Sequence, residues 1–272
     1  MSETSHPTGL VATKGIELLT FGTPNGFKVS ILLEELKAAY PDFSYTVQSI
    51  DIFQDVNKQA WFTALSPNGK IPIIVDHDRD GFAVFEGLAI LSYLTRVHDP
   101  ECKFHFEDLL EASEAEQWIA WQHGGLGSIQ AQANLFYRFH PERYAFPTQR
   151  YVGEVERLYG VLDKRLDGRE YVAGPGTGRY SIADIALFPF IDAAAVTGIE
   201  IERWPNLYAW WERVGERPAV QKGMSVPSGE YFRFGYKKVK KMWKDDPEGV
   251  EERERPLREA LEDARRDFGS VG

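Results

Sequence analysis

The chain has 272 residues, and its 31 Lys and Arg against 41 Asp and Glu give a net charge of −10. This length predicts two modest domains, and the acidic balance argues against nucleic acid as a partner. The single cysteine, Cys102, cannot form an internal disulfide. The sequence shows neither a secretory signal nor an apolar run near the roughly 20 residues that span a bilayer. We therefore expect a cytoplasmic protein without a membrane partner.

Short apolar runs alternate with helical patterns over the first part of the chain. Apolar residues recur at helical spacing in "PNGFKVSILLEELKAAY", and "DRDG" between two β-branched or aromatic runs indicates a hairpin. The predicted elements are a strand at 17–21, a helix at 24–40, a strand at 44–51, a short helix at 57–65, strands at 70–77 and 82–86, and a helix at 87–97. This β-α-β-α-β-β-α order, with a proline opening the third strand, is that of a thioredoxin-like domain. We place it at residues 15–100, after a flexible start at 1–14.

Strand signals stop after a linker at residues 101–108, and an all-helical domain is expected at 109–226. Its most apolar helix, "SIADIALFPFIDAAA", opens with Ser181 and Asp184 at capping-box spacing. That pattern predicts a buried folding element rather than a catalytic pair. A charged extension at 227–272 is expected to carry one solvated helix, which packs on the surface or reaches a partner chain.

The stretch "TPNGFK" stands where the first strand meets the first helix. Thr23 suits the N-cap position, and Pro24 suits the first helical residue, where a missing N–H costs nothing. Asn25 then lies at the positive end of the helix dipole, where hydrogen-bond donors lower the pKa of a thiol. No cysteine occurs in this stretch, so a thiolate stabilised here has to arrive on a ligand. The alternative is that Asn-Gly marks only a tight turn, although a helical pattern follows it.

Two further junctions predict contacts to a ligand. A cis peptide bond between Ile71 and Pro72, ahead of an apolar strand, would turn the N–H and C=O of Ile71 toward a ligand backbone. Glu86 ends a strand directly before a helix, where it can face an ammonium group while the backbone N–H groups hold a carboxylate. The alternative for Glu86 is a simple partner of the helix dipole.

Several longer stretches together resemble the glutathione transferases, and within them the branch of the yeast nitrogen-regulator protein and its bacterial disulfide-reductase relatives. The matching stretches are "TPNGFKVSILLEEL", "LSPNGKIPIIVD", "FEGLAILSYL", "QWIAWQHGGLGSIQAQANLFYRF", "RYVGEVERLYGVLDKRL" and "YSIADIALFPFID". They cover about residues 16–225 in consistent order. The resemblance implies a thioredoxin-like domain followed by an all-helical domain, glutathione as cosubstrate without a metal, and a homodimer.

The resemblance also implies a role for particular residues. Asn25 would contact the glutathione sulfur with Thr23 nearby, and Ile71, before Pro72, would pair with the cysteinyl part. The other implied contacts are Glu86 and Gly87 with the γ-glutamyl part, Lys70 and Asn57 near the glycine end, and Gln122 and Arg157 from the helical domain, with Gln122 reaching across a dimer interface. The alternative for these last two is that they are solvated helix residues.

One position departs from the family pattern, in which Glu-Ser usually stands where this chain has Glu86-Gly87. The Gly87 N–H can still bind the γ-glutamyl carboxylate, but a hydroxyl donor is missing. A hydrogen bond to a charged group is worth about 1.5–3 kcal/mol. Glutathione is therefore expected either to bind more weakly here or to keep a water molecule in the gap.

Three functions are compatible with these residues. The first is an enzyme that uses the glutathione thiolate to reduce a small disulfide or to attack a peroxide or an electrophile. The second is a regulatory, non-catalytic module that retains the fold and contacts another protein. The third is a thioredoxin-like folding subunit of a larger complex, with the charged extension as its docking element.

Overall fold

The computed structural model describes residues 9–269, which form two compact units. One comprises the chain up to His105 together with Glu216–Phe232, and the other comprises Phe106–Gly215 together with the chain from Arg233 onward. This division differs from the predicted boundaries, because the segment 216–226 belongs with the first unit rather than with the helical domain. Residues 1–8 of the predicted flexible start lie outside the described residues.

Up to His105, the first unit contains a four-stranded sheet and three α-helices in the predicted order. They are β1 (Ile16–Thr20), α1 (Pro24–Ala39), β2 (Tyr45–Ser49), α2 (Ala60–Leu65), β3 (Ile73–Asp76), β4 (Phe82–Phe85) and α3 (Gly87–His98). The strand order is β2-β1-β3-β4, with β1 parallel to β2 and antiparallel to β3, and β3 antiparallel to β4. The predicted thioredoxin-like arrangement is therefore confirmed. The helix predicted at 57–65 begins later, because Asp55 adopts a left-handed conformation between two short 3-10 turns.

Apolar side chains fill both faces of the two central strands, and every residue of β1 and β3 is buried. On one face, Leu19, Ile73 and Val75 pack with Phe62 of α2, and Leu10 packs against this cluster from the start of the chain. The backbone N–H groups of Val11 and Ala12 donate to the buried Glu17 carboxylate at 2.9 and 3.1 Å. Residues 9–12 are thus held against the sheet, although the sequence predicts a flexible segment there.

The second unit is all helical. Its helices are α4 (Leu109–Trp121), α5 (Ser128–Asn134), α6 (Ala145–Arg165), α7 (Ile182–Asp192), α8 (Pro205–Gly215), α10 (Tyr236–Asp245) and α11 (Pro247–Phe268), while α9 (Pro218–Gly223) belongs to the first unit. Two π-helical turns, at Gln122–Gly127 and Leu135–Phe139, follow α4 and α5. Every residue of α7 is buried and its capping box is present, as predicted. Among residues 9–269, no helix is both long and apolar enough to cross a membrane.

The charged C-terminal extension forms two helices, so the prediction of a single helix was wrong. The chain breaks between them because Asp246 caps α11 with a hydrogen bond from the Gly249 N–H and Pro247 starts it. The extension is also more than a solvated tail. Leu257 and Leu261 of α11 are buried, and Glu254 forms a bidentate ion pair with Arg138 at 2.7 and 3.0 Å.

The helix α9 returns to pack against α1 of the first unit. The Ser30 hydroxyl donates to the Gly223 carbonyl at 2.7 Å, and a Cβ atom at Gly223 would lie 2.5 Å from the Cα of Ile31. The Arg217 guanidinium donates to both carboxylate oxygens of the buried Glu35, at 2.6 and 2.9 Å. These contacts cover the side of α1 that a two-layer arrangement would leave open to solvent, so α1 is buried over most of its length.

Candidate functional site

The junction between β1 and α1 is a capped helix start. Thr23 is the N-cap, with extended backbone dihedrals, and its side-chain oxygen accepts a hydrogen bond from the Gly26 N–H at 3.3 Å. Pro24 is the first helical residue. The prediction of a strand-to-helix junction is confirmed, and the alternative that Asn-Gly marks only a tight turn is wrong, because both residues lie in α1. Because the Thr23 oxygen accepts this bond, its own O–H can donate to another group.

The first turn of α1 presents the Asn25 side chain to solvent and buries Gly26. A Cβ atom at Gly26 would lie 2.4 Å from both the Phe21 carbonyl oxygen and the Thr20 hydroxyl oxygen. Only glycine therefore allows this turn to lie directly against the end of β1. The glycine of the Asn-Gly pair serves close packing, and it fixes the position from which the Asn25 amide projects.

The loop before β3 contains a cis peptide bond and is stabilised by side-chain hydrogen bonds. The peptide bond between Ile71 and Pro72 is cis, as predicted, and Lys70 beside it is exposed. The Gly69 carbonyl accepts hydrogen bonds from the Asn57 amide at 2.7 Å and from the Lys58 ammonium at 3.0 Å.

The side-chain amide of Asn57 therefore already donates a hydrogen bond to the backbone of this loop. Its side chain is only 7% exposed, and its Oδ1 atom has no hydrogen-bond partner within residues 9–269. The predicted contact of Asn57 with the glycine end of a ligand stays a prediction. In the structure, the Asn57 amide stabilises the backbone of the loop that leads to Ile71.

Glu86 links β4 to α3 with an uncommon backbone conformation. Its φ of 69° is positive, its side chain is exposed, and that side chain does not cap α3. A non-glycine residue at positive φ carries a cost of about 1–3 kcal/mol and is found preferentially at functional sites. The conformation leaves the first N–H groups of α3, beginning at Gly87, to a separate acceptor. The role of Glu86 toward a ligand, and its alternative as a partner of the helix dipole, both stay predictions.

The sheet register brings these three junctions to the same end of the strands, which we call the sheet edge. Leu19 pairs with Ile73, and Ile73 pairs with Phe85, so the end of β1, the start of β3 and the end of β4 are adjacent. The predicted residues that meet there are Thr23, Asn25, Lys70, Ile71, Pro72, Glu86 and Gly87, with Asn57 beneath them. The edge combines two helix starts, which favour anions, with a carboxylate that favours a cation. It suits a small ligand that carries carboxylate, ammonium and thiol groups.

Sequence reasoning missed Lys28, which lies three residues after Asn25 on α1. Its side chain is 1% exposed. Burial lowers the pKa of Lys28 to about 7, and the negative charge of Glu86 opposes this shift. A signal was present in the sequence, since this lysine is the one basic residue inside the apolar stretch of α1, between Phe27 and Val29.

The two predicted residues of the second unit have different surroundings. Gln122 is fully buried where the first π-helical turn begins, so the solvated-helix alternative is wrong for it. Arg157 is exposed and donates two hydrogen bonds to Glu154, at 2.8 and 2.7 Å, and this ion pair lowers the pKa of Glu154. Arg157 thus has the surroundings expected of a solvated helix residue.

Comparison with known proteins identifies the family. Residues 23–97 match the family model described as the glutathione S-transferase N-terminal domain, and residues 135–218 match the C-terminal domain model. The chain is 35% identical over 213 residues to the disulfide-bond oxidoreductase YfcG of Escherichia coli, which covers 77% of this chain and 94% of that protein. The chain belongs to the glutathione S-transferase family. The suspected family and its two-part fold are therefore confirmed.

Solved structures agree with this assignment of the glutathione S-transferase fold. The glutathione transferase homolog of Lodderomyces elongisporus, with two glutathione molecules per subunit, superposes with a TM-score of 0.73 at 35% identity and covers 79% of this chain and 99% of its own. Yeast Ure2p in complex with glutathione gives a TM-score of 0.72 at 29% identity, covering 79% of this chain and 96% of its own. Ure2p is the yeast protein whose nitrogen regulation fragment has been solved, so it represents the branch that the sequence resembles.

Proposed function

We propose that this glutathione S-transferase binds glutathione at the sheet edge and uses its thiolate to reduce small disulfides. The observation that carries the proposal is the exposed Asn25 amide on the first turn of α1, in a helix start that contains no cysteine. Support comes from relatives named disulfide-bond oxidoreductases and from a relative crystallised with two glutathione molecules per subunit. Bound glutathione would supply the nucleophilic sulfur of thiol–disulfide exchange, and the same sulfur can attack a peroxide or an electrophile.

The residues of the edge have separate tasks in this proposal. The Asn25 amide and the Thr23 hydroxyl donate to the sulfur, and with the positive end of α1 they lower the pKa of the bound thiol. The Ile71 backbone pairs with the cysteinyl part, while Glu86 binds the γ-glutamyl ammonium. The Gly87 N–H holds the γ-glutamyl carboxylate at the start of α3, and Lys70 faces the glycine carboxylate.

Two of the residues predicted to contact glutathione have no role in this proposal. Gln122 is buried, and Arg157 is held by Glu154, so we do not assign either of them to the glutathione site.

Calorimetry with reduced and oxidised glutathione tests the binding step. The unchanged chain is expected to release or take up heat with glutathione, and Glu86→Gln is expected to raise the Kd about tenfold, because a neutral amide replaces a charged partner of the ammonium. Glu101→Gln, at an exposed carboxylate elsewhere in the same unit, serves as the control. Absence of a glutathione signal with the unchanged chain would remove the proposed function.

A regulatory role is the second candidate, favoured by the similarity to the nitrogen regulation fragment of yeast Ure2p, with a TM-score of 0.73 at 28% identity. Because Ure2p has also been solved with glutathione, binding alone does not separate the two candidates. Turnover does. A chain that binds glutathione but reduces no disulfide, peroxide or electrophile would support the regulatory candidate.

We also propose a homodimer in the cytoplasm as the working form. In the first unit, the edge strand β4 carries the exposed Phe82 and Phe85, and in the second unit Leu109 and Leu110 at the start of α4 are 83% and 81% exposed. Apolar side chains exposed in groups are typical of surfaces that a partner covers. Sedimentation of Phe82→Glu is expected to show a monomer where the unchanged chain and the exposed-site control Phe268→Glu show dimers. A dimer of Phe82→Glu as stable as the unchanged one would contradict β4 as part of the contact.

A further inference from the structure

The single cysteine of the chain lies beside a histidine, outside the sheet edge. Cys102 follows the end of α3, and its Sγ atom lies 3.5 Å from Nε2 of His105. The thiol is partly exposed, and the His105 side chain is 23% exposed. An imidazole nitrogen within hydrogen-bond reach of a thiol is the arrangement that activates cysteine nucleophiles. The proposed chemistry at the sheet edge uses neither residue.

A buried carboxylate orients the imidazole. Nδ1 of His105 lies 3.0 Å from Oδ2 of Asp99, and Asp99 is 1% exposed. Burial opposes the shift, but hydrogen bonds, of which the Tyr40 hydroxyl gives the largest effect, lower the pKa of Asp99. An ionised carboxylate only accepts hydrogen bonds, so Nδ1 of His105 carries the ring proton. The neutral ring therefore turns an acceptor, Nε2, toward the thiol.

The three side chains are arranged in series. Asp99 and Cys102 contact opposite nitrogens of the His105 ring, so they do not converge on one point as metal ligands do. In agreement, residues 9–269 contain no group of three or more His, Cys, Asp and Glu side chains that could hold a metal ion. A nucleophile, a base and an orienting carboxylate in this order have the geometry of a catalytic triad.

The turn around Cys102 forms without the contact between its thiol and His105. Cys102 has a φ of 51°, in the left-handed region, where glycine and asparagine are more frequent than cysteine. The Asp99 carboxylate fixes this turn, because it accepts from the Lys103 N–H at 2.9 Å and the Phe104 N–H at 2.7 Å. The conformation of the turn therefore does not explain why a cysteine stands there.

We propose that Cys102 is a thiolation site, at which the thiol exchanges with glutathione disulfide and forms a mixed disulfide with glutathione. Nε2 of His105 accepts the thiol proton, and the Cys102 sulfur attacks one sulfur of glutathione disulfide. The new bond between these two sulfurs forms as the disulfide bond of glutathione disulfide breaks. The leaving glutathione thiolate then takes the proton from His105. Asp99 is a positioning residue, which keeps the acceptor nitrogen turned toward the thiol.

This site goes beyond the proposed function and is chemically connected with it. Glutathione disulfide is the oxidised product when two glutathione molecules reduce a small disulfide. Its accumulation would convert Cys102 to the mixed disulfide, and reduced glutathione would reverse the exchange. The inference does not rest on the proposed function, because the exchange at Cys102 needs glutathione disulfide from any source.

Mass spectrometry of the intact chain after incubation with glutathione disulfide tests the proposal. Because the chain has one cysteine, a glutathionyl group added through a disulfide bond is at Cys102. The rate of incorporation is measured near pH 7 and near pH 10 for the unchanged chain, His105→Gln and Asp99→Asn. His140→Gln, at a partly exposed histidine of the second unit, is the matched control.

Near pH 7, His105→Gln is expected to react about tenfold more slowly than the unchanged chain and the control. The reason is that an ordinary thiol, with a pKa of about 8.5, is mostly protonated there and needs a base. Near pH 10 the difference is expected to disappear, since the thiol ionises without help. No incorporation, equal rates near pH 7, or a difference of the same size at both pH values, as a structural effect would give, would overturn the inference.

Asp99→Asn is expected to show the same pattern as His105→Gln. The new amide can donate to Nδ1, which places the ring proton on Nε2 and removes the acceptor from the thiol. A rate near pH 7 equal to that of the unchanged chain would contradict the positioning role of Asp99.

Asn25→Ala separates this site from the sheet edge. The variant is expected to form the mixed disulfide at Cys102 as fast as the unchanged chain. A slower reaction would mean that glutathione bound at the sheet edge delivers the group, and it would overturn Cys102 and His105 as a site of their own. A chain that is thiolated at Cys102 but reduces no disulfide, peroxide or electrophile would remove the proposed function and leave this inference standing.

Discussion

Replacement of Asn25 with alanine is expected to lower the rate of disulfide reduction about 10- to 100-fold at saturating glutathione. In the proposed site the variant would remove a hydrogen bond to the negatively charged sulfur of glutathione, and such bonds are worth about 1.5–3 kcal/mol. The helix start itself remains, because Thr23 still caps α1 and alanine is the best helix former. The loss is therefore expected in the reactivity of the sulfur rather than in folding.

The thiol of bound glutathione gives a direct readout of this effect. Ultraviolet absorbance of the thiolate, followed against pH, is expected to show a pKa about 1–2 units higher in Asn25→Ala than in the unchanged chain. Gln132→Ala removes another exposed amide, from α5 in the second unit, and serves as the control. A variant with the same thiol pKa and the same rate as the unchanged chain would exclude Asn25 from the mechanism.

Features of the site that depend on neighbouring residues could be predicted from the sequence. The Thr23 cap and the Asn25 position each follow from a few adjacent residues, because capping is local. The cis bond before Pro72 was predicted instead from its context ahead of an apolar strand, since most X-Pro bonds are trans. The fold class could be predicted for a related reason. The order of strands and helices follows from hydrophobic period, and this order selects the architecture.

Features that depend on distant contacts could not be predicted in this way. Ser30 and Ile31 are buried partly because α9 covers α1, and that packing joins residues as far apart as Ser30 and Gly223. Asn57 is likewise turned beneath the loop by its bond to the Gly69 carbonyl. A hydrophobic period of 3.6 residues shows which side of a helix is apolar. It does not show that a helix distant in sequence, here α9, packs against another side.

Replacement of Asp184 with alanine is expected to lower the free energy of unfolding by about 4 kcal/mol. One carboxylate oxygen accepts hydrogen bonds from the Val172 N–H at 3.0 Å and the Trp210 indole N–H at 2.8 Å, and the other accepts from the Ser181 N–H at 3.0 Å. All of these groups are buried. Alanine would leave three buried donors without an acceptor, at about 1–3 kcal/mol each, partly offset because a buried carboxylate is no longer desolvated.

The pH dependence of that loss tests the state of the carboxyl group. Burial raises the pKa of Asp184 to about 6 in spite of its donors, so the folded chain binds this proton more tightly than the unfolded chain. The contribution of Asp184 is therefore fully present below the unfolded pKa of about 4 and falls as the pH rises toward about 6. Urea unfolding is expected to show a loss for Asp184→Ala about 1 kcal/mol larger near pH 5 than near pH 7.5, whereas the exposed-site control Asp167→Ala changes little at either pH. A larger loss near pH 7.5 would mean that the three donors outweigh burial and hold the ionised form, in which case the capping site of α7 stabilises an anion in the core.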